Sequence, residues 1–386
     1  MSSSSPDPQI PIAISEYMED FLRFTLTSFL DGTLEVDLPL SKKYCSHLLQ
    51  EDGDSSQHSH QYQPIQEGSV SATVGVPEYP LYKILEQALG RCISAGDFLR
   101  RSSEGMMGIV EDERFKVKEE ECKELVVCVG LELLNMVNKD VLFELNVQPP
   151  FFSQIKDVLK TVEGRCAVGK YNKIAPGSLI LFNKCLLMRV QKVKWYKSFS
   201  MMLETETLSK TLPGVATIEE GVQIYRKFYT EEMEKSNGVL AISILRPTFQ
   251  QPSVLVAKLL AGLNYEGIGS LLGIMHTSGT ISDMLPPSRS TLISSFVTPH
   301  HTEVRGSFLS IGARALSKHV QRSKDGWWGC LDGNDSKKNK HALKIIYSLL
   351  DHCSWMNIEI FFEIRVANGY GARWSKDGLK VFWNHI

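Results

Sequence analysis

The clearest alternation of apolar and polar positions falls between residues 141 and 244. Val141-Leu142-Phe143-Glu144-Leu145 is a short apolar run that ends before Pro149-Pro150 and reads as a strand. Phe151, Phe152, Ile155, Val158, Leu159 and Val162 then recur at intervals of three and four, the spacing of one helical face. This predicts a helix that opens at Pro150 and stops at Gly164, a residue able to adopt the left-handed cap. Gly177 introduces a second apolar strand, through Leu179-Ile180-Leu181-Phe182. Cys185 to Tyr196 is rich in β-branched and aromatic residues, and its alternation slips between Val190 and Val193, which predicts a long strand with a bulge. Thr217-Ile218-Glu219-Glu220 is a capping box opening a helix to about Met233. Asn237-Gly238 marks a turn into a closing strand, Val239 to Ile244.

Both flanks are less regular. Helical spacing predicts helices over Ile14 to Leu30, Pro80 to Arg100 and Lys123 to Asn138, with a charged, partly exposed stretch from Gly105 to Glu121. Glu51 to Val74 is polar and reads as a flexible linker; its His58 and His60 have no partners at metal-ligand spacing, so no metal site is expected. After Pro247, glycines are scattered among apolar residues. Gly267-Ile268-Gly269 lacks the third glycine of a dinucleotide loop, and His276, Ser278 and Asp283 lack the strand–turn–helix elbow of a nucleophilic set. Between Leu309 and Leu350, Arg314, Lys318, Arg322, Lys324, Lys337, Lys338, Lys340 and Lys344 surround Trp327-Trp328, with Tyr370, Arg373 and Trp374 further on. Such interleaving suits phosphate binding with base stacking. It better suits a core tryptophan pair beside a solvated charged helix. The apolar end, Val381 to Ile386, reads as an incomplete element.

Composition narrows the class. At 386 residues and 43% hydrophobic content, the chain is long enough for two or three domains with buried cores. No apolar run reaches the roughly 18 residues of a membrane span, and the N-terminus lacks the pattern of a secretory signal. Eight cysteines at scattered spacings, with no C-x-x-C, suggest reduced thiols in a cytoplasmic or nuclear protein. The net charge of −2 conceals a division. Residues 1–146 hold 25 acidic and 12 basic side chains, and residues 147–386 hold 19 acidic and 30 basic. Only the latter part favours a polyanion, unless acidic and basic regions pack together.

The candidate chemistry centres on Lys160, Glu163 and Arg165. On spacing alone, Lys160 and Glu163 are an i,i+3 ion pair worth a few tenths of a kcal/mol. The surroundings say more. Lys160-x-x-Glu163-x-Arg165, after Gln148-Pro149-Pro150-Phe151-Phe152 and before Ile174-Ala175-Pro176-Gly177-Ser178-Leu179-Ile180-Leu181-Phe182, resembles the signature of the ASCH (activating signal cointegrator homology) domain. The resemblance extends through Tyr196-Lys197-Ser198-Phe199, Leu212-Pro213-Gly214 and Ile224-Tyr225. Val158 stands where the signature has its first glycine, and Ser178 where it has an aspartate. The long extension after the barrel looks like that of plant ASCH-domain proteins.

The resemblance implies a central PUA-like β-barrel over residues 141–247, and with the flanks read above the chain is expected to be α+β: an acidic, mainly helical region over 1–140 with its linker near 51–76, the barrel, and a basic, mixed α/β extension over 248–386. It implies RNA or other nucleic-acid binding in a cleft beside the motif, possible links to transcription or RNA processing, and no cofactor. Lys160 and Arg165 would meet phosphate or base edges, with Glu163 orienting Arg165 or accepting a hydrogen bond from a base, and Arg189, Lys192 and Lys194 would extend the basic track. A protein partner could dock on the N-terminal helices. The alternative is an enzyme, either a nuclease or a hydrolase of acylated cytidine using Lys160. Small relatives of the latter kind place a threonine where this chain has Glu163, and without that hydroxyl the nucleophile is missing.

Overall fold

A computed structural model describes residues 15–52, 75–96, 98, 113–248, 250–300, 308–322 and 326–382. Four helices precede the first strand: α1 (Ser15–Leu30), α2 (Lys42–Leu49), α3 (Leu81–Ala95) and α4 (Glu113–Asn135). In α1, Tyr17, Met18, Phe21, Leu22 and Leu26 form a buried stripe, all at most 2% exposed. Helix α2 is absent from the sequence expectation; Ser41 caps it by accepting from the Tyr44 N–H at 3.1 Å. Helix α4 starts ten residues before the expected Lys123, because Glu, Lys and Arg are good helix formers without an apolar stripe. His58, His60 and most of the expected linker lie outside the described residues.

The chain divides into two compact units. The first comprises 15–28, 34–36 and 129–258. Its elements after α4 are β1 (Val141–Leu145), α5 (Phe151–Lys156), β2 (Val162–Cys166), β3 (Leu179–Phe182), β4 (Leu186–Tyr196), α6 (Phe199–Glu206), α7 (Leu208–Thr211), α8 (Ile218–Arg226), α9 (Glu231–Asn237) and β5 (Val239–Leu245). The strands form one sheet in the order β1-β3-β4-β5-β2, a curled half-barrel in which only β1 and β3 run parallel. The expected bulge appears as a register shift between Val190 and Lys192 opposite β5. One sheet face packs on Phe143, Ile155, Ile180, Phe182, Met188, Leu240 and Ile242. The other face packs Val162, Cys166, Val239 and Ala241 against Phe199, Met202, Leu203 and Tyr225 from α6 and α8. Helix α1 adds Phe24, whose ring meets that of Phe152 edge-on at 6.1 Å.

Two predicted helices are corrected. The helix expected over Phe151 to Gly164 ends at Lys156. Val158 takes φ 58°, Leu159 and Lys160 both donate N–H bonds to the Gln154 carbonyl, and the chain turns into β2. Five consecutive residues, Val162 to Cys166, pair with β5, whereas a short helical extension with no packing partner is marginal in water. Val158 and Leu159, assigned to the buried stripe, are 46% and 60% exposed. The helix expected from Thr217 to Met233 is two helices. Thr217 accepts from Glu220 N–H while Glu220 accepts from Ala216 N–H, a capping box shifted by one residue, and Thr230 caps α9 by accepting from Met233 N–H.

The second unit comprises 29–33, 37–128 and 259–386 within the described residues. After α10 (Pro252–Leu271), which breaks at Asn264 with φ 52°, come α11 (Arg289–Val297), α12 (Ile311–Arg322), α13 (Asp335–His352) and an antiparallel sheet. Its strands, in order, are β6 (Trp355–Ile358), β7 (Phe361–Arg365), β8 (Gly371–Ser375) and β9 (Val381–Phe382). Leu292, Phe296, Leu316, Ile346, Leu349, Phe362, Ile364 and Trp374 share its core. Gly267-Ile268-Gly269 lies inside α10, which rules out a strand-to-helix phosphate turn there. Among the described residues no helix is long and apolar enough to cross a membrane.

Candidate functional site

The three motif residues meet, although by a different local structure from the one expected. Lys160 leaves the turn after α5, and Glu163 and Arg165 are alternate residues of β2, so they share a sheet face. Lys160 is 1% exposed. Its Nζ lies 3.1 Å from Glu163 Oε2, donates to the Val162 carbonyl at 2.9 Å and to the Thr211 carbonyl, and faces the Phe151 ring at 5.8 Å. Three acceptors use the three donors of an ammonium, so Lys160 is a sealed structural cation. Glu163 is 5% exposed, and its second oxygen lies 2.9 Å from Arg165 Nε. Burial pushes the Glu163 carboxyl upward, but Lys160 and Arg165 outweigh that and hold it below its ordinary range.

Arg165 is the member that reaches outward. Its side chain keeps 15% exposure. It donates to the Asn146 carbonyl at 2.7 Å, lies beside the Tyr229 hydroxyl and stands 6.0 Å over the Tyr171 ring. Burial works against its charge, and Glu163 more than restores it. The arrangement is a relay of positioning: Lys160 fixes Glu163, Glu163 fixes Arg165, and Arg165 sits between two tyrosines at the rim.

The other expected residues part company with it. Lys192 and Lys194 pair with Ser243 and Ala241, and Arg189 with Leu245. Arg165 pairs with Leu240, so alternation puts the three β4 cations on the opposite sheet face. Lys194 is also engaged by Glu206 at 2.6 Å, which accepts from the Tyr196 hydroxyl as well. What shares the Arg165 face is Trp195. It pairs with Leu240, which pairs with Arg165, giving one row across three strands. Trp195 is 56% exposed, and its indole donates to the Asn237 carbonyl at 3.1 Å, fixing the ring. Sequence reasoning missed Tyr171, Tyr229 and Trp195; the alternation of β4 contained the signal for Trp195, once β4 and β2 were known to flank β5.

In the second unit, the aromatics expected among the basic residues are structural. Trp328 is 5% exposed within the core, and Trp327 stacks on Tyr370 at 4.4 Å, while Arg314, Lys318, Lys337, Lys340 and Lys344 are exposed on helices. His276 is buried with Nε2 3.0 Å from the Glu266 carbonyl, whereas Ser278 and Asp283 are exposed.

The family model of the ASCH domain matches residues 145–248, and that of the CdiA C-terminal tRNase toxin domain matches residues 300–383. A solved structure of the hypothetical protein PH0355 is 44% identical over 26% of this chain and 95% of that chain, with a TM-score of 0.26. Protein PF0455 from Pyrococcus furiosus is 44% identical over 28% of this chain and 98% of that chain, also with a TM-score of 0.26. No curated protein matches. The family model matched over residues 145–248 identifies this segment of the chain as a member of the ASCH domain family.

Proposed function

We propose that the first unit binds single-stranded RNA, with Arg165 meeting a phosphate or base edge and Trp195 stacking on a base. The observation that carries this reading is the cross-sheet row: a charged, rigidly held guanidinium and an exposed, orientation-locked indole two strands apart. Strands lie about 4.8 Å apart, so the two groups stand on the order of 10 Å from each other, a span that neighbouring nucleotides of an extended strand can bridge. Lys170 and Lys173, exposed on the turn that carries Tyr171, add positive charge at the same end of β2. Lys160 acts as a positioning residue rather than a ligand. The eight free thiols fit a reducing interior, cytoplasmic or nuclear. The acylated-cytidine hydrolase has little support, since Lys160 is sealed and Glu163 replaces the hydroxyl that would attack.

Anisotropy titrations with a labelled single-stranded RNA test this. Trp195→Ala should weaken binding by about 1–3 kcal/mol, the worth of one stacked base, and leave the salt slope intact. Unchanged affinity in that variant would remove Trp195 from the interface. A second reading, a nuclease, is favoured by one observation, the tRNase toxin-domain match over residues 300–383, and places any cleavage in the second unit rather than beside Arg165.

A further inference from the structure

The four-stranded sheet of the second unit has one apolar face and one charged face. Met356, Ile358, Phe362, Ile364, Ala372 and Trp374 all enter the core. The alternate residues point the other way, and the register sets Asn357, Glu363 and Arg373 in one row and Trp355 beside Arg365 in the next. Glu363 is gripped on both carboxylate oxygens. Oε1 accepts from Arg365 Nε at 2.6 Å, and Oε2 accepts from Arg373 Nε at 2.5 Å. The side chains of Glu363, Arg365 and Arg373 are 12%, 20% and 24% exposed, so the cluster is half-sunk yet reachable.

Two features distinguish it from an ordinary surface pair. The cluster carries two cations for one anion, and each guanidinium holds five donors, more than the carboxylate occupies. Beneath Arg365, 5.1 Å away, lies the ring of Trp355, which is 5% exposed and whose indole N–H has no hydrogen-bond partner among the described residues. A buried donor without an acceptor costs about 1–3 kcal/mol. Glu359, the other carboxylate on this face, is already engaged by Thr277 and Asn357. An incoming group that is anionic, oxygen-rich and fitted to a guanidinium fork is a phosphodiester.

We infer that Glu363, Arg365 and Arg373 form an RNA-cleaving site in which Glu363 is the general base. The inference rests on the nuclease reading of residues 300–383, a segment that contains all three residues, and it is independent of RNA binding at Arg165. Arg365 and Arg373 hold the non-bridging oxygens of the scissile phosphate. Glu363 takes the proton of the adjacent 2′-hydroxyl, and the 2′ oxygen forms a bond to phosphorus. The bond from phosphorus to the 5′ oxygen breaks, and that oxygen takes a proton from water. The products are a 2′,3′-cyclic phosphate and a 5′-hydroxyl, and the two guanidinium groups stabilise the charge that accumulates on the phosphoryl oxygens in between.

The test uses the full chain with labelled tRNA and a labelled single-stranded oligoribonucleotide, the cleavage products being identified by mass spectrometry. The wild-type protein should cleave RNA to 2′,3′-cyclic ends and should leave a 2′-deoxy oligonucleotide of the same sequence intact. Glu363→Gln, isosteric and checked for folding by circular dichroism, should slow cleavage by about 100-fold or more. Arg165→Ala should weaken binding while its remaining cleavage still depends on Glu363. Intact RNA with the wild-type protein, cleavage of the deoxy strand, 5′-phosphate products, or a Glu363→Gln variant as fast as wild type would each overturn the proposal. Failure of the Arg165 reading would show instead as unchanged RNA affinity in Arg165→Ala, whatever the cleavage result.

Discussion

Val158 is a β-branched residue held at φ 58°, in the left-handed region, at the turn between α5 and β2. That backbone costs an L-residue about 1–2 kcal/mol. Glycine takes it freely, at an unfolded-state cost of about 0.5–1 kcal/mol. The Val158 side chain is nearly half exposed, so its removal loses little burial. Val158→Gly should therefore stabilise the first unit by on the order of 0.5–1 kcal/mol, read from slower hydrogen exchange of the β2–β5 amides; faster exchange would show that the valine packs better than its exposure implies. Lys160 carries the opposite sign. Lys160→Met leaves Glu163 buried with one cation fewer and should cost about 3–5 kcal/mol. The same carboxylate sets a pH response. Its folded-state value is lowered beneath the usual 4.5, so its stabilising contribution is present above that pH and is lost as pH falls through the lower, folded value. Acid unfolding of the first unit should accordingly steepen below about pH 4.5, and Glu163→Gln, though less stable at pH 7, should show a shallower acid limb; parallel limbs would contradict the assignment.

At the scale of elements, β2 is the instructive case. Its apolar positions fit a helix extended from α5 as well as they fit a strand, and Gly164 looked like the helix stop. The decisive partner, β5, lies more than seventy residues away, where no local pattern can register it. Gly164 is needed for a different reason: a Cβ there would sit 2.5 Å from the Tyr225 hydroxyl and 2.7 Å from the Met202 terminal methyl. Gly164→Ala should destabilise by about 1–3 kcal/mol through overpacking against α6 and α8, and Gly164→Ala combined with Tyr225→Phe should recover part of it. Where local signals suffice, the sequence was legible. The β4 bulge, the Thr217 cap and the strands at 141, 179 and 239 all stand where alternation and turn residues put them. The candidate site was half legible. Its motif could be read along the chain, but its working face could not, because Arg165 and Trp195 become neighbours only through the two strand registers on either side of Leu240. For the same reason Lys192 and Lys194, close to Trp195 in sequence, fall on the other face.

Across the whole molecule, all but the first two residues of the ASCH-matched segment, and all of the tRNase-toxin-matched segment, lie in the part of the chain with a basic excess, residues 147–386. A polyanion is the partner that this distribution favours, and its affinity should fall with salt as phosphate contacts release counterions. The central claim is that Arg165, positioned by Glu163 and Lys160, contacts RNA. It is tested most directly by titrating labelled single-stranded RNA with the wild-type chain and with Arg165→Ala across a series of salt concentrations. Loss of one phosphate contact should weaken binding at low salt and reduce the slope of log affinity against log salt by about 0.7, the single-strand value per phosphate. Equal affinities and equal slopes for the two proteins would contradict it.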